Sequence, residues 1–415
     1  MDTRRLLALL TVIAVATGCA STVDGKSVTS SKSADATTLD TGGFPSAPSP
    51  QFGYAVQPDV ELNYIEGQRM AEFIVLPFEI NSSVRQSDTP SEVIRGRDSF
   101  QRVFRNNTAI ADAVDGPNSR FLAGFVVSGR TPGDGTNDPD ATGITHMVLR
   151  YTTSAGAAAA ARAMFGASLR SPSTGLTPET PVPLPGLPNT LASTSTTIEG
   201  AGLTTMTAFT SFGPYAFYTI VATSTARRAE LPAQIDRAVR MQAPFIAKFP
   251  ATVSNPNVPA RVKIDQNNIL IYAIPADTDS RSMLGTTRAV YGVRGMATLF
   301  TDPQGTVALL AKTGSLYNAF WRSIVLRADT PLKAVELRDG LIASDKQAGY
   351  EEVPPPPGVS SVSCLSLKTQ AGSRNGCYVL NGRYVAVVYD ADPKTTQQLA
   401  TAQYLILNKA DQNAK

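Results

Sequence analysis

The side chains able to do chemistry here are few, and the thiols come first. The 415 residues hold three cysteines and one histidine. Cys19 follows a cationic start, Met1-Asp2-Thr3-Arg4-Arg5, then an apolar run from Leu6 to Ala16 and the small residues Thr17 and Gly18. That layout reads as a secretory signal over residues 1–18, and the apolar run is too short to span a bilayer as a helix. A cysteine at the cleavage point reads as a site of diacylation, with palmitate-class chains expected on Cys19 as the new N-terminus. Two acyl chains give stable anchoring where one is marginal. Ala16 stands three places before Cys19, where Leu is usual.

Cys364 and Cys377 are then left as partners for each other. They bracket CLSLKTQAGSRNGC, whose middle is rich in turn formers, so the spacing predicts two short strands clamped by a disulfide, as an exported compartment permits. A metal-binding pair would need closer cysteine spacing and a neighbouring histidine.

The single histidine, His146, is the only base open to a Ser-His-Asp triad, and no G-x-S-x-G elbow accompanies it. On an extended segment it shares a face with Val148 and Arg150, which reads as a structural or surface position. One histidine excludes a multi-histidine metal site. The loop from Asp134 to Asp140 carries Pro139 and Thr145 where an EF-hand needs Gly and Glu, and Asx-turn chemistry accounts for its composition. Gly292-Val293-Arg294-Gly295 lacks the context of a nucleotide fingerprint; it reads as a tight turn with Arg294 in a surface or interdomain salt bridge. Tyr317, Phe320 and Trp321 read as core. These residues name no catalytic group, no cofactor and no metal.

The elements that would position these residues fall into two similar sets. Net charge is +3 with 17% charged residues, and drops to +2 once residues 1–18, with Asp2, Arg4 and Arg5, are removed. No long run of one sign occurs, which argues against nucleic acid and against strong attraction to anionic lipid. Residues 19–50 are dominated by Ser, Thr, Ala, Gly and Pro and read as a flexible lipidated tether with a reach of about 30 Å. Residues 51–255 and 260–411 read as two domains joined by a Pro/Asn-rich linker.

Within the first domain, helices are predicted from Asp59 to Phe73 and from Ser91 to Phe104, with Glu66, Gln68 and Glu72 off the apolar face of the former. A strand follows from Arg120 to Gly129. Next come a strand (Thr145 to Tyr151), an alanine-rich helix, a Pro-rich loop, two strands and a closing helix. The second domain repeats that order: a strand from Trp321 to Arg327, a helix capped by Thr330, the loop Val353 to Gly358, strands around Ser363–Leu367 and Tyr378–Tyr389, and a helix opened by Asp392-Pro393. The repeated order predicts an internal duplication. Each half is expected to be an α+β unit, an antiparallel sheet with helices packed on one face.

Several stretches recur together: Cys19 after a signal, Leu39-Asp40-Thr41-Gly42, Glu66 through Phe73, Val290 through Gly295, the cysteine pair and Thr401 through Leu405. In these the chain resembles uncharacterised lipoproteins of mycolate-containing actinobacteria (nocardiae, rhodococci and mycobacteria), a domain of unknown function. The resemblance covers nearly the whole sequence. It implies an anchor on the outer face of the cytoplasmic membrane and carries no catalytic residue across. The reading is a non-enzymatic binding or scaffold protein for an envelope protein, lipid or other apolar ligand, held at a cleft between the domains. The alternative is a hydrolase or transferase acting on envelope lipid or glycan through dispersed carboxylates.

Overall fold

Strand β4 (Thr142–Tyr151) sets the plan of the first half, because both of its faces are apolar: Met147 and Leu149 on one, Ile144 and Val148 on the other. A strand of that kind needs cover on both sides. The computed structural model describes residues 39–414 apart from 57–59, 104–106, 117–119, 134–140, 172, 199–201, 253–258, 277–287 and 370–371. Cys19, the signal and the Asp134–Asp140 loop therefore lie outside the described residues.

The chain enters through β1 (Tyr54–Val56) and α1 (Val60–Met70), which tightens into a 3-10 turn at Ala71–Phe73 before α2 (Pro77–Ile80). Strand β2 (Gln86–Ile94), helices α3 (Arg97–Val103) and α4 (Thr108–Val114), and strand β3 (Phe121–Arg130) lead to β4. Helix α5 (Ser154–Arg170), strands β5 (Thr180–Val182), β6 (Thr190–Thr196), β7 (Leu203–Phe212) and β8 (Tyr215–Ser224), and helix α6 (Leu231–Ile246) complete the half.

The second half opens with β9 (Arg261–Lys263), β10 (Ala289–Tyr291), α7 (Val293–Ala297) and α8 (Pro303–Thr313). Strands β11 (Asn318–Phe320) and β12 (Ile324–Arg327) precede α9 (Pro331–Gln347). Strands β13 (Glu351–Val353), β14 (Val362–Thr369), β15 (Gly372–Asn381) and β16 (Tyr384–Asp390) then lead into α10 (Pro393–Leu407).

Among the described residues each half builds a seven-stranded antiparallel sheet, and the two strand orders are the same: β2-β3-β4-β8-β7-β6-β5 and β10-β11-β12-β16-β15-β14-β13. Helices α5 and α9 are both seventeen residues long, and both start behind a threonine, Thr153 or Thr330, whose side chain accepts a backbone N–H of the first turn. The β7–β8 and β15–β16 hairpins turn at Gly213 and Gly382, whose φ of +51° and +54° only glycine adopts without strain. The halves are duplicates in three dimensions.

Helices cover both faces of each sheet, where the sequence reading placed them on one. In the first half α3, α4 and α5 pack on the front face with Met147, Phe209 and Tyr218, and α6 packs on the back face with Ile144, Ala208 and Val221. In the second half α9 lies on the front with Tyr378 and Val385, and α10 on the back with Val379, Ala386 and Val388.

The halves stack back to front. Phe125, Val127, Val148 and Phe217 from the back of the first sheet share one apolar cluster with Leu326, Tyr378 and Val387 from the front of the second. Phe125 and Tyr291 meet edge to face, 5.9 Å between centroids. The cleft expected between the domains is thus filled with side chains. Helix α1 lies within this layer: Gln68 accepts from Val290 N (3.2 Å) and donates to Arg288 O (3.1 Å), binding it to edge strand β10. Gly67 lets the helix settle on β3, since a Cβ there would stand 3.0 Å from the Gly124 carbonyl oxygen and collide with Val93.

Two further expectations need correction. The helix predicted from Ser91 begins only at Arg97, because Val93 and Ile94 pair with Phe125 and Gly124 as the end of β2; Ser99 Oγ, accepting from Arg95 N at 2.7 Å, holds the turn. Residues 39–50, read as loose tether, are seated on the second half. Leu39 and Phe44 pack against its back layer, Gln398 donates to Asp40, and Ser49 N donates to Ile271 O at 2.8 Å.

Candidate functional site

Cys364 and Cys377 face each other across β14 and β15 as a register pair, their Cα atoms 4.1 Å apart, and form the disulfide. The bond is buried under α10 with Val379 and Val388. Arg294 makes the interdomain salt bridge: Nη1 donates to Glu79 Oε1 (3.0 Å), Nη2 to Ile74 O (2.8 Å), and the guanidinium lies 4.9 Å from the Phe245 ring centroid. Trp321 belongs to the turn before β12 rather than to the strand, and packs edge-on against Phe52.

His146 is fully buried on the back face of β4. Nδ1 lies 2.9 Å from Thr219 Oγ1, and Nε2 lies 3.0 Å from Gln242 Oε1. Gln242 also accepts from Val75 N (2.8 Å) and donates Nε2 to Phe73 O (2.8 Å), so its Oε1 is an acceptor and the imidazole proton sits on Nε2. Burial holds this imidazole down at about 4, with the Gln242 hydrogen bond opposing. It is a neutral structural strut with no route to substrate.

The second half repeats the strut without the histidine. Gln403 donates to Tyr272 O (2.9 Å) and accepts from Ser323 Oγ (2.6 Å), which in turn accepts from Ile274 N (2.9 Å). Gln242 and Gln403 each stand ten positions after the proline that opens their helix, Pro232 or Pro393. That shared spacing was the sequence signal for both.

The buried acids are committed in the same way. Glu66, 2% exposed, bonds Arg69, Arg150 (2.8 Å), Thr252 N (3.0 Å) and Thr252 Oγ1 (2.6 Å), and both arginines lie against the Phe249 ring. This cluster fixes the chain where it leaves α6. Asp345 of α9 accepts from the Tyr378 hydroxyl; burial raises its carboxyl, and hydrogen bonds from Tyr378 and Tyr389 oppose that. Burial likewise raises Glu72, which accepts from Arg294 N at 2.8 Å. Glu66 and Asp345 are enclosed by protein, and Glu72 is partly buried.

One surface differs between the halves. Strands β11 and β12 last pair at Phe320 and Ile324 and turn at once. Their counterparts β3 and β4 run on past Val126 and Met147 to Arg130 and Gly143. On the front face this adds two rungs. One is Asp88, Ser128, Thr145, Ile220, Thr207 and Ser193; the other is Arg130, Gly143, Ala222, Thr205 and Ser195. At this end lies an open trough of about 210 Å³ bordered by Asp88, Arg130, Pro132, Thr142, Leu203 and Ala222.

Its electrostatics are local. Arg130 is half-buried, and Nη1 donates to Gly133 O at 3.0 Å. Ser128 and Thr145 share a hydrogen bond of 2.9 Å. Ser195 Oγ and Ser224 Oγ, in residues 3% and 8% exposed, have no hydrogen-bond partner among the described residues, and Ser224 pairs in register with Leu203 of the trough. A buried hydroxyl left so costs about 1–3 kcal/mol, which an ordered water offsets. Glu179 faces Ser193 and is raised by burial. No sequence motif marks the trough; the signal lay in the greater length of the first hairpin.

No curated protein matches the chain. Among solved structures, the extracellular domain of PknH from Mycobacterium tuberculosis is similar at 12% identity and a TM-score of 0.29, over 42% of this chain and 95% of that one; a score so low transfers neither fold nor role. The family comparison matches over most of the length. Residues 54–255 match the N-terminal part and residues 269–410 the C-terminal part of one family, and the chain belongs to that family, described as Domain of unknown function (DUF7373).

Proposed function

We propose that the protein is an exported, lipid-anchored component of the cell envelope that binds a partner and performs no catalysis of its own. The observation that carries the anchor is the pairing of Cys364 with Cys377. Of three cysteines in the sequence, it leaves Cys19, behind its signal-like leader, as the one thiol outside that bond. A buried disulfide also suits an oxidising compartment. Lipidation at Cys19 would hold the body on the outer face of the cytoplasmic membrane.

Binding is favoured over catalysis by where the titratable groups are spent. His146 is sealed and neutral, Glu66 and Glu79 are held by arginines, and Asp345 is held by phenols. Asp88 is the one carboxylate among the described residues bordering the trough, whereas glycoside hydrolysis by the usual route needs two. A polar partner suits this surface better than an acyl chain, because Arg130 and Asp88 border it, and the space between the halves is occupied.

Metabolic labelling with an alkyne palmitate analogue tests the anchor. Label on the wild type and on a Cys364→Ser/Cys377→Ser chain, with none on Cys19→Ala and its leader uncleaved, is the expected pattern. Undiminished label on Cys19→Ala would overturn it.

A further inference from the structure

We propose that the trough at the open end of the first sheet is a binding site for a single sugar residue of a glycan. The inference rests on the reading of the protein as a binding module and names the ligand class. Duplication supplies the first reason. The second half closes its hairpin at Phe320 and Ile324, whereas the first half extends it to Arg130 and Gly143, where the trough lies.

The lining supplies the second. Leu203, Ala222 and Pro132 offer an aliphatic floor. Arg130 and Asp88 stand at the rim with complementary planar groups, one donating and one accepting, the pair that grips neighbouring hydroxyls of a ring.

Two alternatives fit less well. A sugar ring presents a C–H face to such a floor and hydroxyl edges to such a rim. An acyl chain would leave Arg130 and Asp88 unsatisfied, and a simple anion would meet the Asp88 carboxylate in the same lining. At about 210 Å³ the trough is also smaller than the roughly 300–1,000 Å³ of sites for drug-sized ligands, which suits one residue.

The test is ligand-observed NMR and calorimetry on the full exported chain in detergent. The probes are galactose, mannose, arabinose and N-acetylglucosamine, with inorganic phosphate alongside. Saturable binding of at least one sugar is expected, weakened at least tenfold by Asp88→Asn and by Arg130→Gln, with unfolding cooperativity retained. Leu332→Ser, on the exposed start of α9, should leave binding unchanged. Three outcomes would each overturn the proposal: no sugar binding, phosphate binding without sugar binding, or sugar binding indifferent to both trough variants. Ala222→Phe, which fills the floor, gives an independent check by abolishing binding. Labelling at Cys19 is read separately, so failure here leaves the anchor standing and failure there leaves the trough.

Discussion

Gln242 and Gln403 do the same work in the two halves: each buried amide donates to the carbonyl of a segment crossing behind its sheet, Phe73 O at 2.8 Å and Tyr272 O at 2.9 Å. The partners around them have diverged. Gln242 takes Val75 N–H directly and carries the His146 ring as well, while Gln403 reaches Ile274 N–H through the Ser323 hydroxyl. A neighbouring duplicated pair is Arg150 opposite Tyr215 and Arg327 opposite Tyr384.

The two glutamines should therefore differ in cost. Gln242→Leu strands the Phe73 carbonyl, the Val75 N–H and His146 Nε2, and should lose about 3 kcal/mol. Gln403→Leu strands Tyr272 O and leaves Ser323 still able to serve Ile274, so about 2 kcal/mol is expected. Urea unfolding of both variants checks the order, and a loss under about 1 kcal/mol for Gln242→Leu would show that the strut is not needed.

His146 makes stability depend on acid. Unfolded, the imidazole takes its proton near 6.5; folded, only at about 4. Between those values the unfolded chain binds more protons, so stability is full above the upper one and falls as pH drops toward the lower. The loss approaches about 3 kcal/mol once both forms are protonated. Urea midpoints from about pH 7 to 5 should decline in the wild type and flatten in His146→Gln. An equal slope in both would place the acid sensitivity elsewhere.

Much of the fold could be read from the sequence because local chemistry agreed with it. Thr330 and Asp392 cap their helices as their neighbours suggest, Cys364 and Cys377 pair across a turn, and the repeated element order is a duplication. The misreadings arise where one element has two buried sides. Glu66 and Gln68 look like a solvent face of α1, but the helix lies between the halves, with Arg150 and Thr252 on one side and β10 on the other. Periodicity along a single helix cannot report a second neighbour. The trough was hidden for a related reason: its rungs join strands β2, β3, β4, β8, β7 and β6, and only register brings Asp88, Arg130 and Ser195 to one face.

Removing Glu66 should loosen the exit from α6. Glu66→Leu leaves Arg69 and Arg150 without their shared carboxylate and Thr252 N without its acceptor. Because both guanidiniums keep some solvent contact, about 3 kcal/mol is expected, the low end for a broken buried pair. Thermal unfolding would read this as a lower midpoint, and an unchanged midpoint would mean the cluster is dispensable.

The disulfide closes a short loop, its cysteines separated by 13 positions in sequence. Loop-closure entropy for this size is worth about 3 kcal/mol, so Cys364→Ala/Cys377→Ala should unfold at lower urea than the wild type. Reducing agent should move the wild type toward the variant. A midpoint indifferent to both treatments would show that the bond contributes nothing.

The most direct test of a body that binds at its surface, without an acyl chain in its core, is native mass spectrometry. The chain from residue 20 would be exported to an oxidising compartment and purified without lipid extraction. The expected result is the mass of the polypeptide with one disulfide and no bound lipid. A discrete, stoichiometric lipid adduct would contradict the account, since the apolar space between Phe125 and Tyr291 that could house it is filled by the protein itself.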